Sequence, residues 1–218
     1  MKELTFHQIV EKLQKLEPFH FARVGDGEMM CMAGKQGKNC DDHKYFVDLG
    51  QALRTIYKKE QDYFVGLQPV KHGLFTDFDK YPQQWCNADV LHDASIKGWM
   101  PALFHALSNR NVVMIGNHSL AKLNFINVMI EIPKKNAWQK RQEIWSHLKQ
   151  IINEHFDKKL VLLFSAGMMS GVLIDEIANN EQINRLVTTI DTGSVFDPYV
   201  GKATRSYHNQ IIERENAS

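Results

Sequence analysis

Apolar residues first recur at helical spacing near the start of the chain, at Ile9, Val10, Leu13 and Leu16. That spacing predicts an amphipathic helix over residues 5–16. Thr5 and Gln8 have the form of a capping box at its start. Glu17-Pro18 ends it, because proline disfavours helix in the residue before it. A short apolar run then predicts a strand over 20–24, followed at once by the tight turn Gly25-Asp26-Gly27-Glu28. A helix start is expected at 29–33 and a loop at 34–37. Phe46, Leu49, Leu53 and Ile56 mark the inner face of a helix over 43–59. A strand is expected at 63–67. Residues 68–97 show no clear period and hold Gly73, Pro82 and several aspartates. Long irregular excursions of this kind are often functional.

The second half is more regular. The pattern predicts a helix over 99–107, led by Pro101, and a buried strand over 111–115. The turn Gly116-Asn117-His118-Ser119 and a helix follow. A strand is expected at 128–132 and a long amphipathic helix at 137–156. Next come a strand at 160–164, the turn Ser165-Ala166-Gly167 and a helix at 169–178. The last strand, 186–190, runs into Asp191-Thr192-Gly193. Strands alternate with helices, and the later strands are continuous apolar runs. This implies an α/β, Rossmann-like fold: a mostly parallel sheet with helices on both faces, as one domain over residues 1–218.

Composition changes this picture little. The chain has 218 residues, 44% of them hydrophobic, and a formal net charge of +1. The charge argues neither for nor against a polyanionic partner. Cys31, Cys40 and Cys86 are too few and odd in number for a disulfide framework, which suits a reducing compartment. Cys31, Cys40 and His43 lack the paired Cys-x-x-Cys of a zinc knuckle. The N-terminus has no apolar signal core. The most apolar stretch, 160–174, is interrupted by Ser165, Gly167, Ser170 and Gly171 and is shorter than the ~20 residues of a membrane helix. A cytoplasmic protein without a membrane span is expected.

Ligands of open α/β sheets bind beyond the carboxyl ends of the strands. The strand ends at 25–28, 116–119, 165–167 and 191–193 all carry polar or glycine-rich turns, which a parallel sheet would bring to one edge. Asp26 and Glu28 are the carboxylates suited to a divalent cation that keeps phosphate oxygens as further ligands. Arg23 can add a bidentate phosphate or carboxylate contact. The plainer reading is a surface turn whose acids cap the next helix. The 165–170 turn offers backbone N–H groups to an anion, or is a simple strand–helix connection; the same choice holds for Asn117 and His118. Asp191, at a strand end, is a candidate general base, with Asp197 and Tyr199 just beyond. Lys202, Arg205 and His208 form a basic cluster that meets phosphates or is a solvated tail. Met29, Met30, Met32, Trp138 and Trp145 read as core.

The run Phe21-Ala22-Arg23-Val24-Gly25-Asp26-Gly27-Glu28 resembles the opening Arg-x-Gly-Asp-Gly-Glu motif of the GT-D type glycosyltransferases, a family first described as a domain of unknown function. Residues 51–66, 112–117, 160–175 and 189–199 resemble later segments of that family in the right order, so the likeness spans about 20–199. It implies a metal-dependent transfer from a nucleotide sugar, most simply a UDP-sugar with Mn²⁺ or Mg²⁺, to an acceptor hydroxyl. By it, Asp26 and Glu28 carry over as metal residues, with Glu28 also counted as catalytic. Arg23, Gly25, Gly27, Asn117, Ser165, Gly167 and Asp197 join Asp26 around the donor, and Asp191 becomes a catalytic or acceptor-orienting carboxylate. The acceptor is either a glycan or glycoprotein, or a hydroxymethylated pyrimidine in phage-type DNA. The DNA reading needs a basic rim, for which Lys134, Lys135, Lys140 and Arg141, or Lys202 and Arg205, are the candidates. Residues 71–93 match the family poorly and are expected to shape the acceptor site. A nucleotide-sugar hydrolase and a non-catalytic nucleotide-binding module are the alternatives. The sugar, the stereochemistry and the oligomeric state are not legible.

Overall fold

A computed structural model describes residues 3–68, 83–155 and 160–217. Its centre is one seven-stranded sheet. The strands are β1 (His20–Val24), β2 (Phe64–Leu67), β3 (Trp85–Asn87), β4 (Asn111–Gly116), β5 (Val128–Glu131), β6 (Leu160–Phe164) and β7 (Thr188–Asp191). They lie in the order β3-β2-β1-β7-β6-β4-β5, and every pairing is parallel. The continuous apolar runs are explained by this: β6 is buried at every position because both faces of the sheet are covered.

One face carries α2 (Asp26–Met32), α3 (Val47–Tyr57), α6 (Arg141–Glu154) and α7 (Met169–Ala178) over a core containing Val24, Leu53, Phe164 and Ile174. The other carries α1 (Phe6–Gln14), α4 (Val90–Ile96) and α5 (Met100–Ser108) over Ile9, Phe21, Leu107 and Phe196. A last helix, α8 (His208–Asn216), packs against α4. The α/β expectation is met, with a sheet that is parallel throughout its described strands. Among the described residues no helix is long and apolar enough to cross a membrane.

The first helix has the capping box read from the sequence: Gln8 N–H donates to Thr5 Oγ1 and Thr5 N–H to Gln8 Oε1. Elsewhere local chemistry shifts the boundaries. Helix α3 starts at Val47, not at residue 43. Asn39 Oδ1 accepts from the N–H groups of Asp41 and His43, and this side-chain turn competes with helix. The stretch expected to be irregular at 68–97 contains β3 and α4, although residues 69–82 lie outside the described part. After β4 the chain makes a 3-10 turn, His118–Lys122, rather than an α-helix. The helix expected at 137–156 opens as a 3-10 turn at Ala137–Lys140; residue 156 lies outside the described part.

Two features place the site. Helix α3 crosses closely over α2, because Gly50 puts no side chain between them: a Cβ there would lie 2.3 Å from the carbonyl oxygen of Cys31. And β1 and β7, far apart in sequence, are neighbours, with Phe21 opposite Ile190. From β1 the chain passes to the α2 face. From β7 it passes to the other face, where Val195 and Phe196 are buried. A crevice therefore opens between their carboxyl ends, as at the switch points of open α/β sheets.

Candidate active site

That crevice holds a cavity of about 190 Å³. Helix α2 begins at Asp26, so the Asp26-Gly27-Glu28 segment is the helix's first turn and not a turn preceding it. Asp26 Oδ1 accepts from Gly27 N–H at 3.0 Å. Glu28 turns back so that its Oε2 accepts from Gly25 N–H at 2.9 Å, capping its own helix. The plainer reading of these acids as helix caps is thus physically true of Glu28. It is compatible with a site, because Asp26 and Glu28 both line the cavity.

Asp191 stands opposite, at the end of β7, only 5% exposed. Its Oδ1 accepts from Gly193 N–H at 3.0 Å. Burial drives the Glu28 carboxyl up to about 7, and the neighbouring Asp191 charge adds to the rise. Burial likewise lifts Asp191 to about 6, opposed by the Arg23 guanidinium. The Asp191 charge thus opposes ionisation of Glu28. Arg23 is held from two sides: its Nε donates to Ala88 O at 2.8 Å, and its guanidinium lies 3.6 Å from the Asp89 carboxylate. It also lies against Gly193, whose φ is +52° and where a Cβ would meet Nη1 at 2.2 Å. Only glycine suits that position on both counts.

Gly25, Gly27 and Gly167 complete the expected set around the cavity. Asn117, Ser165 and Asp197 do not line it. Asn117 Oδ1 accepts from Ser119 N–H, Ser119 Oγ and Lys202 Nζ. Ser165 N–H donates to Ile115 O, continuing the sheet. Asp197 accepts from Thr204 Oγ1. All three organise the rim of the sheet.

This arrangement was compared with known proteins. No protein-family model matches the chain, and no curated protein matches it. Two solved structures do. One is described as the highly conserved domain of unknown function 1792, with a distinct glycosyltransferase fold. It aligns at a TM-score of 0.64 and 15% identity, over 91% of this chain and 80% of that one. A selenomethionine-substituted structure of domain 1792 aligns at a TM-score of 0.65, with the same identity and coverage. This chain has that glycosyltransferase fold.

Within the glycosyltransferase fold, several cavity residues escaped the sequence reading. Asn39, Cys40 and Asp41 come from the loop after α2, His92 from α4, and Ser194 and Tyr207 from the segment after β7. His92 and Tyr207 stack at 3.8 Å between ring centroids, 27° apart in plane. Arg205 lies there too, the one member of the predicted basic cluster to do so. His208 is buried, and its Nδ1 accepts from Thr204 N–H. Burial lowers its pKa to about 4, with the nearby Arg205 charge adding to the fall, so it is neutral at physiological pH.

Among the described residues no group of three or more His, Cys, Asp or Glu side chains is arranged to hold a metal ion. The residues fit only a cation with few protein ligands: Asp26 and Glu28 would supply one or two carboxylate oxygens, and a hard ion such as Mg²⁺ commonly takes its other ligands from water and substrate phosphates. The cavity also has an excess of acid: Asp26, Glu28, Asp41 and Asp191 against Arg23 and Arg205. A cation relieves that excess.

The buried acids make a stability prediction. A carboxyl raised from 4.5 to about 7 keeps its proton in the native state over a range where the unfolded chain has lost it. Stability therefore falls as pH rises between those values and stays reduced above them. Glu28→Gln removes the cost and keeps an acceptor for Gly25 N–H. In buffer containing a metal chelator, the variant is expected to melt about 5 °C above the parent at pH 8. The difference should shrink to nothing near pH 4.5. Equal melting temperatures across the range would show that Glu28 is not strained by burial.

Proposed function

We propose that this protein transfers a sugar from a nucleotide sugar to an acceptor hydroxyl, with the donor diphosphate held in the cavity between the ends of β1 and β7. One observation carries the reading. Half-buried Asp26 and Glu28, in the first turn of one helix, share a single crevice with buried Asp191 in a glycosyltransferase fold.

The roles follow from the environments. Asp191, with its pKa lifted to about 6, is deprotonated at neutral pH yet basic enough to accept a proton. As the acceptor oxygen bonds to the anomeric carbon, its proton passes to Asp191 and the bond to the diphosphate breaks. Arg23, fixed by Ala88 and Asp89, keeps Asp191 oriented and partly neutralised. Asp26 with Glu28 would hold Mn²⁺ or Mg²⁺, which supplies neutralisation of the leaving diphosphate. The acid excess of the cavity supports metal dependence, since both guanidiniums already face a carboxylate.

Between the two acceptor classes, the acid excess of the cavity favours a neutral glycan or glycoprotein over polyanionic DNA.

The test is nucleotide release from a panel of UDP-sugars with Mn²⁺, with simple glycans and hydroxymethylated DNA as acceptors in separate wells. Release by one sugar that needs the metal and is stimulated by a glycan is expected. Release at the same rate with no acceptor would make the protein a nucleotide-sugar hydrolase. Binding of nucleotide with no release from any donor would reduce it to a binding module.

A further inference from the structure

The cavity lining carries an ion pair to which the mechanism above gives no catalytic role. Arg205 precedes α8, and Asp41 lies in the loop between α2 and α3. Their side chains meet as a two-pronged fork, Nη1 donating to Oδ1 at 3.0 Å and Nη2 to Oδ2 at 2.9 Å. Both residues line the cavity that holds Asp26 and Asp191. The partners are 164 positions apart, so only the assembled fold brings them together.

The pair is open to solvent. The side chains are 30% and 39% exposed, so water and dissolved ions compete for both partners. A guanidinium that holds a carboxylate through two parallel N–H···O bonds has the geometry that also fits two oxygens of a phosphate. The carboxylate is thus a solvent-accessible anion seated on a phosphate-shaped fork in the lining of the site.

We infer that the Arg205–Asp41 fork is an exchangeable clasp, in which Arg205 gives up the Asp41 carboxylate for a phosphate of an incoming nucleoside diphosphate. This rests on the reading of the cavity as the donor site. Apart from a bond from Arg205 Nη1 to Thr204 O at 2.7 Å, the backbone around the fork is held independently of it. Asp41 N–H donates to Asn39 Oδ1, and Tyr207, two residues beyond Arg205, is stacked on His92. Exchange therefore needs side-chain rotation and no loop movement. Released, Asp41 is exposed enough to be solvated at small cost. The clasp makes Asp41 a built-in competitor of the donor. Removing its charge and removing Arg205 must act in opposite directions.

The experiment is calorimetric binding of UDP, GDP and ADP, each with Mn²⁺, to the parent protein and to Arg205→Ala, Arg205→Lys and Asp41→Asn. Arg205→Ala is expected to weaken the bound nucleotide by about tenfold or more. Arg205→Lys should fall between, keeping the charge and losing the fork. Asp41→Asn should tighten binding by about threefold or more. Far-UV circular dichroism and melting curves check the fold of each. Should Arg205→Ala fail to fold, Asp41→Asn decides the matter. Unchanged or weaker binding by Asp41→Asn, or unchanged binding by a folded Arg205→Ala, overturns the clasp while leaving the donor site standing. A parent protein that binds none of the three nucleotides overturns both.

Discussion

Asp26→Asn is expected to lower metal-dependent nucleotide release by about 10²-fold or more while leaving the protein folded. Asparagine is the informative replacement. It keeps an oxygen to accept from Gly27 N–H, a bond Asp26 makes at 3.0 Å, while removing the charge. The helix N-terminus loses one favourable acid, worth about 0.3–1 kcal/mol, so the melting temperature should fall by no more than a few degrees. The large effect is reserved for chemistry because the cavity is already crowded with acid. On the proposed reading, a diphosphate entering beside Glu28, Asp41 and Asp191 would need a cation, and Asp26 lines the same cavity. Raising the Mn²⁺ concentration should restore part of the lost rate if the charge serves the metal. Release within threefold of the parent, measured on folded variant, would remove Asp26 from the mechanism.

The largest structural effect is expected at a residue that touches no substrate. Gly50→Ala should destabilise the protein by about 2–3 kcal/mol, a fall in melting temperature of roughly 5–10 °C. The added methyl would sit 2.3 Å from the Cys31 carbonyl oxygen and 3.0 Å from its carbon. The obstacle is backbone and cannot rotate away, so α3 must lift from α2. Alanine is otherwise the better helix former by about 1 kcal/mol, so the sign of the change is itself diagnostic. Helix α2 carries Asp26 and Glu28 at its first turn, and lifting α3 loosens its support. Activity at 25 °C should therefore drop several-fold even where the variant remains folded. A variant as stable as the parent would mean that the two helices are not held at this separation.

The sequence exposed what depends on local pattern. The strand 20–24 and the strand 160–164 are bounded as the apolar runs suggest, and the capping box at Thr5 and Gln8 forms as written. The carboxyl-end rule led to Asp26, Glu28 and Asp191, which share one cavity, and to Asn117, Ser165 and Asp197, which do not line it. A strand end is visible in a sequence; the direction its side chains take is not. Residues Asp41, His92 and Tyr207 carry no local signal at all. Each becomes part of the cavity through a partner more than a hundred residues away, Arg205 for the first, and His92 and Tyr207 for each other. Of the missed elements, β3 and α4 are three and seven residues long, too short to show a period, and α8 buries only His208 and Ile211, too few to mark a face.

The adjacency of β1 and β7 has a consequence in time. Strand β7 fills the gap between β1 and β6, so before it inserts the sheet is two halves, each with an unpaired inner edge. Pairings of such long sequence separation form late, after a large loop has been closed. During synthesis the segment holding Arg23, Asp26 and Glu28 emerges well before the one holding Asp191 and Arg205. The protein on the ribosome thus holds half of its acid pair and half of its clasp. The cavity is completed as a single event, with the closing of the sheet.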